Sequence, residues 1–178
     1  KISCFIKNSD WKNTPTSINY KLKENGEIIE AGINKIKEFF IYPSIKYTKS
    51  TVNIDKTGNK TNQVSDTKFP SFKQQTLFLK VLIESEISLY QYKENNVNVF
   101  FYKKKGKGTK QLVFKYYLVN NKLAKNNMFR QQLFKHLKCT DISDNSLKKV
   151  EYRKSELEKL FLKYNKCENN KITKYNIN

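Results

Sequence analysis

Residues 77–117 hold four apolar runs, and no other part of the chain restricts the fold so strongly. The runs are Leu77–Glu84, Ile87–Lys93, Val97–Tyr102 and Gln111–Tyr117, each rich in β-branched, aromatic or leucine residues. They are separated by Ser85-Glu86, by Glu94-Asn95-Asn96 and by the segment Lys103–Lys110. Connections this short join antiparallel neighbours, so the spacing predicts a β-meander.

The period of two recurs upstream. Ile2, Cys4 and Ile6 alternate, and so do Ile18, Tyr20 and Leu22. Each set predicts a half-buried strand, with Cys4 a small core residue. Asn25-Gly26 signals a tight hairpin leading into a partner strand at Glu27–Ala31. Residues 33–42 fit either a helix face or a strand. The β-rich run Glu38–Tyr42 and the stop at Pro43 favour a strand. Tyr47, Val52 and Ile54 place another strand at residues 45–55, and the polar residues 56–73 form a long, mobile loop.

After residue 119 the period changes. Phe129, Leu133 and Leu137 repeat every four residues, which predicts an amphipathic helix over residues 128–138 capped by Asn126 or Asn127. A polar turn follows at Thr140–Asn145. Ser155 and Glu158 have capping-box spacing, and Leu157, Leu160, Phe161 and Tyr164 then mark a second helical face. The fold expected is α+β. A mainly antiparallel sheet, either a sandwich or a partly open barrel, fills residues 1–119. A two-helix segment packs on it over residues 120–167, and a linker or tail follows at 168–178.

Each expected helix ends at a cysteine, Cys139 and Cys167. Short helices are marginal alone. A Cys139–Cys167 bridge would tie their ends together and add roughly 3 to 4 kcal/mol by loop-closure entropy. Two free thiols are the alternative. A bridge would imply an oxidising compartment.

Among the 178 residues the net charge is +19, which raises nucleic acid or an anionic surface as a partner. However, only Arg130 and Arg153 of the 35 basic residues are arginines, and arginine is the residue that recognises phosphates and bases with a planar fork. Abundant Lys, Asn and Ile is also what an AT-rich genome encodes. The densest basic patch is Lys103, Lys104, Lys105, Lys107 and Lys110, flanked by Phe100–Tyr102 and Phe114–Tyr117. Lysines interleaved with aromatics suit single-stranded nucleic acid. A solvated hairpin tip touching anionic lipid headgroups, or nothing, is the plainer reading.

No catalytic motif emerges. Gly106-Lys107-Gly108 lacks the length and the following helix of a phosphate-binding loop. His136 is the sole histidine, with no carboxylate three or four residues away, and is expected on a helix surface. No metal or other cofactor is expected. Trp11, the only tryptophan, is either a lid on the core edge or an exposed ligand platform. No apolar run reaches the roughly 20 residues of a membrane-spanning helix. The chain starts at Lys1 within an alternating run, which leaves room for a signal peptide ahead of it.

Five stretches carry a resemblance. They are Asn8–Pro15, Lys37–Tyr42, Leu77–Glu84, Phe129–Leu133 with Leu137–Cys139, and Leu160–Cys167. Together they resemble the N-terminal extracytoplasmic domain of Bacteroidota outer-membrane β-barrel proteins of the "porin family". The resemblance spans nearly the whole chain and implies a signal peptide before it and a membrane barrel after it, with Lys171–Asn178 as the approach to that barrel. It implies a periplasmic or outer-membrane-associated location, which would favour the Cys139–Cys167 bridge independently. It implies no chemistry for particular residues. The function expected is therefore a non-enzymatic interaction or assembly domain whose partner is a protein or the attached barrel. Its binding surface would be the sheet edges and the Lys103–Lys110 tip. A basic, polyanion-binding protein is the alternative.

Overall fold

A computed structural model describes residues 1–175 except 10, 59, 60, 62, 63 and 96. The α+β expectation holds: antiparallel sheets come first and helices gather near the C-terminus.

The main sheet is built from β4 (Glu38–Ile41), β5 (Ile45–Ile54), β6 (Lys73–Glu84), β7 (Ile87–Glu94), β8 (Val97–Lys104) and β9 (Lys110–Gln111), paired in that order and all antiparallel. The first three meander runs become β6, β7 and β8. The register Leu89↔Tyr102 and Tyr90↔Phe101 puts alternate residues on opposite faces, as the pleat requires. A smaller sheet precedes it, formed by β1 (Phe5–Ile6), β2 (Ser17–Lys21) and β3 (Ile29–Gly32).

Both faces of the main sheet are apolar. Leu79, Val81, Tyr90, Tyr92, Val99 and Phe101 line the inner face. The sheet curls round this face until Gln111 on β9 reaches the end of β5. There its Nε2 donates to Asp55 O (3.0 Å) and its Oε1 accepts from Asp55 N (2.8 Å). One side-chain amide thus stands in for a backbone ladder, and no closed barrel forms. On the outer face Leu82, Leu89, Phe100 and Leu112 receive the helices. These are α1 (Met128–His136), α2 (Asp144–Lys149) and α3 (Lys154–Cys167). Phe129, Leu133, Leu157 and Phe161 are almost wholly buried against the sheet, each worth about 1.5–3 kcal/mol of apolar transfer. Next to them on the same face, Ile18, Phe39, Tyr47 and Phe78 join the small sheet to the large one.

Two polar side chains, Asn165 buried and Tyr152 partly so, complete the helix–sheet joint. Tyr152 Oη accepts from Phe100 N (2.9 Å) and donates to Leu112 O (2.9 Å), filling the gap where β8 and β9 part. Asn165 on α3 donates from Nδ2 to Ile87 O (3.0 Å) and accepts at Oδ1 from Ile87 N (3.4 Å).

Several local expectations are corrected. The run Gln111–Tyr117 is two pieces. Its end belongs to β10 (Lys115–Val119), which pairs with β11 (Lys122–Asn126) in a separate hairpin straddling residue 119. Asn120 and Asn121 both have positive φ (48° and 60°), a conformation asparagine tolerates, and they close this turn. The Asn25-Gly26 turn is a longer loop between Lys21 and Ile29. Among the described residues there are three helices where two were expected, because Ser143 Oγ caps α2 by accepting from Ser146 N. Helix α3 starts one residue before Ser155, with no side-chain cap at Arg153. Glu158 instead lies 3.5 Å from Lys154, so the capping box does not form. The tail at 168–178 is partly a strand: β12 (Thr173–Lys174) pairs with the end of β6, and Tyr175 donates to Glu84 (2.7 Å). Within residues 56–73, Lys73 already belongs to β6, and the described loop residues are tied down at Ser65, Phe69 and Ser71.

Candidate functional site

The Cys139–Cys167 disulfide forms, with the Cα atoms 6.4 Å apart. Cys139 lies just past α1 and Cys167 is the last residue of α3. Nearby Leu137 and Ile142 are buried in the same core, so the bridge fastens the helical layer where it meets the sheet end. Cys4 is free and only half-buried, not a core residue.

The lysine tip is less concentrated than its sequence. Lys103, Lys104, Lys105, Lys107 and Lys110 are all exposed. Strand alternation sends Lys104 to the helix side, with Tyr102 and its cross-strand partner Lys110, and Lys103 to the other side. Lys105 Nζ is 2.8 Å from Glu86 Oε1, which cancels its charge locally. Gly106 has φ +74° at the turn, with open space where a Cβ would point. His136 leans on Tyr102 with ring centroids 5.3 Å apart. Partial burial, then the positive charges of Lys135, Lys110 and Lys104, hold its pKa below the ordinary histidine value.

A second basic site lies on the outer face, between the helical layer and the small sheet. Its floor is a cross-strand row, Tyr47–Lys80–Gln91, fixed by the registers Tyr47↔Lys80 and Lys80↔Gln91. One wall is the segment Trp11–Thr14. This segment is stitched to β7 by Thr14 N to Lys93 O (2.7 Å), Lys93 N to Thr14 Oγ1 (2.9 Å) and Asn95 N to Asn13 Oδ1 (3.0 Å). Trp11 packs edge-on against Phe39 (5.7 Å) and Tyr47 (5.8 Å). It is thus a core lid and, at the same time, lines the cleft. The opposite wall is the start of α3 at Lys154.

The cleft encloses about 340 Å3 and collects Lys12, Lys80, Lys93 and Lys154. Gln91 Nε2 donates to Asn98 Oδ1 (2.8 Å) across its floor. Lys154 engages Glu158 (3.5 Å), whose carboxylate also acts on Lys80. Among the described residues Lys80 has no ion-pair partner. Burial, then the charges of Lys154 and Lys93, push its pKa below the ordinary lysine value, against a smaller opposing pull from Glu158. Sequence reasoning passed over this site because its four lysines are far apart in the chain. One signal was present: Lys80 is the single charge inside the apolar run Leu77–Ile83.

Among the described residues no group of His, Cys, Asp and Glu side chains is placed to hold a metal ion. Among the described residues no helix is long and apolar enough to cross a membrane. Protein-family models, curated protein sequences and solved structures yield no match to this chain.

Proposed function

We propose that this chain is a non-enzymatic interaction domain that works outside the cytoplasm, associated with an outer-membrane β-barrel. The observation that carries the reading is the Cys139–Cys167 disulfide, a covalent clamp that reducing cytoplasm does not maintain. The resemblance of the five sequence stretches to extracytoplasmic domains points the same way. Exposed apolar side chains supply contact surface for a protein partner. Leu118 and Leu123 face each other across the β10–β11 hairpin and, with Val119, stay 41–50% exposed; Phe40 and Tyr42 are exposed at the β4 edge of the main sheet.

Chain material taken from its native cells and alkylated without reductant tests the location. The expected result is that Cys4 is blocked while Cys139 and Cys167 stay joined. Alkylation of all three thiols would overturn it.

The alternative, a polyanion grip by Lys103–Lys110, draws less support from the geometry. Lys103 and Lys104 diverge to opposite faces, and Lys105 is spent on Glu86. Single-stranded RNA binding that is absent even at low salt would remove it.

A further inference from the structure

We infer that the cleft between Trp11 and the start of α3 binds a small organic anion carrying at least two acidic groups, phosphate or carboxylate. This goes beyond the interaction reading and does not depend on where the chain resides.

Three observations converge. First, four lysines from four separate segments meet at one depression, and among the described residues its lining holds no carboxylate, with Glu158 engaged by Lys154 close by. Folding brings like charges together here at an energetic cost, and an anion seated between them would relieve it. Second, Lys80 stands mid-strand on the floor, where an uncharged residue would fit the sheet better. Its neighbours along the same face are Phe78 and Leu82, both buried. Its ammonium is partly stripped of water and has no ion-pair partner among the described residues, the condition in which an arriving anion gains most. Third, the remaining lining suits an organic ligand rather than a bare ion. Trp11 offers an aromatic wall, and Gln91 and Asn98 offer neutral donors and acceptors. A volume of about 340 Å3 lies at the low end of small-molecule sites. The walls on two sides fit a compact molecule better than a long polymer, which would meet the splayed lysines of the tip instead.

Trp11 is the only tryptophan, so its fluorescence reports on this cleft alone. The test uses the whole chain with its disulfide intact, titrated at low ionic strength with citrate and, separately, with pyrophosphate. Potassium chloride at matched ionic strength is the control. A saturable Trp11 response to at least one of the two, and none to chloride, is the expected result. The stronger response tells carboxylate from phosphate. Lys80→Met should weaken that binding about tenfold or more while raising the thermal midpoint, since it removes an unpaired charge. Lys107→Ala at the tip should bind like the unaltered chain. A purely structural Lys80 would instead lower the midpoint when replaced. The inference is overturned if neither anion gives a saturable response up to about 10 mM, or if Lys80→Met binds as well as the unaltered chain. Should Lys80→Met fail to fold, Lys93→Gln must show the same loss of binding, and unchanged binding there overturns the inference equally.

Discussion

Replacing Lys115 by methionine should destabilise the fold by about 3 kcal/mol, because it strands a buried carboxylate. Lys115 is 1% exposed and Asp55 4%. Lys115 Nζ donates to Asp55 Oδ2 (2.9 Å) and to Phe69 O (3.1 Å). The other contacts of the Asp55 carboxylate come from Thr57 N (2.8 Å), Thr57 Oγ1 (2.6 Å) and Ser71 N (3.0 Å). The pair therefore joins the end of β5, both ends of the following loop and the β10–β11 hairpin. Removing one partner of a buried pair costs about 3–5 kcal/mol. The lower end applies here, since three donors remain on Asp55 and methionine fills most of the lysine stem. That is a large share of the roughly 5–15 kcal/mol that holds a domain folded. It corresponds to a fall in melting temperature of about 6–12 °C for a chain of this size.

Urea unfolding followed by circular dichroism measures the loss. The double variant Asp55→Asn/Lys115→Met, which removes both charges, should be more stable than the two single losses summed, by at least about 1.5 kcal/mol. Acid supplies an internal check. Burial alone would raise the Asp55 pKa, but the hydrogen bonds from Thr57, Lys115 and Ser71 outweigh it and hold the pKa below the ordinary aspartate value. A lowered carboxylate pKa contributes stability above the unfolded-state value, and that contribution disappears as pH falls through the folded-state value. The gap between the unaltered chain and Lys115→Met should thus be constant from neutral pH down to about pH 5 and close below about pH 4. A loss under about 1 kcal/mol, or additive single losses, would refute the idea that this pair locks the loop.

Three further outcomes are expected. Cys139→Ser with Cys167→Ser should cost about 3.5 kcal/mol by loop-closure entropy in urea unfolding, and a loss near zero would mean that helix packing alone holds the layer. Tyr152→Phe should cost about 1–3 kcal/mol, because it leaves Phe100 N and Leu112 O without their shared partner; amide hydrogen exchange at Phe100 should accelerate with it. Gly58→Ala should destabilise by about 1 kcal/mol or more, since Gly58 has φ +67° and an added Cβ would sit 2.6 Å from Tyr116 O; unchanged unfolding would show that the loop yields freely.

The elements that were legible in the sequence are those whose signal is local. The apolar runs Leu77–Glu84, Ile87–Lys93 and Val97–Tyr102, joined by short connections, read directly as β6, β7 and β8, because a sheet buried on both faces needs apolar residues on both. The four-residue spacing of Phe129, Leu133 and Leu137 reads as the buried stripe of α1 and its cap. The helical spacings put Cys139 after α1 and Cys167 at the end of α3, which made a bridge an expectation, and the structure forms it. Where the local signal was weak, packing overrode it. Thr173–Lys174 became a strand because the end of β6 had open backbone groups to pair. Helix α3 began at Lys154 without using the capping box, since Glu158 is drawn to Lys154.

The two features with most bearing on function separate in the same way. The lysine tip is visible in the sequence because its residues are consecutive, yet only strand alternation shows that they diverge. The Trp11 cleft shows there only as the lone charge of Lys80 in its apolar run, because Lys12, Lys80, Lys93 and Lys154 become neighbours only through cross-strand registers and the seating of α3. Sequence by itself determined which segments must hide an apolar face. Tertiary structure alone decided which charges were carried inward with them, because that depends on which segments meet and not on what each segment is.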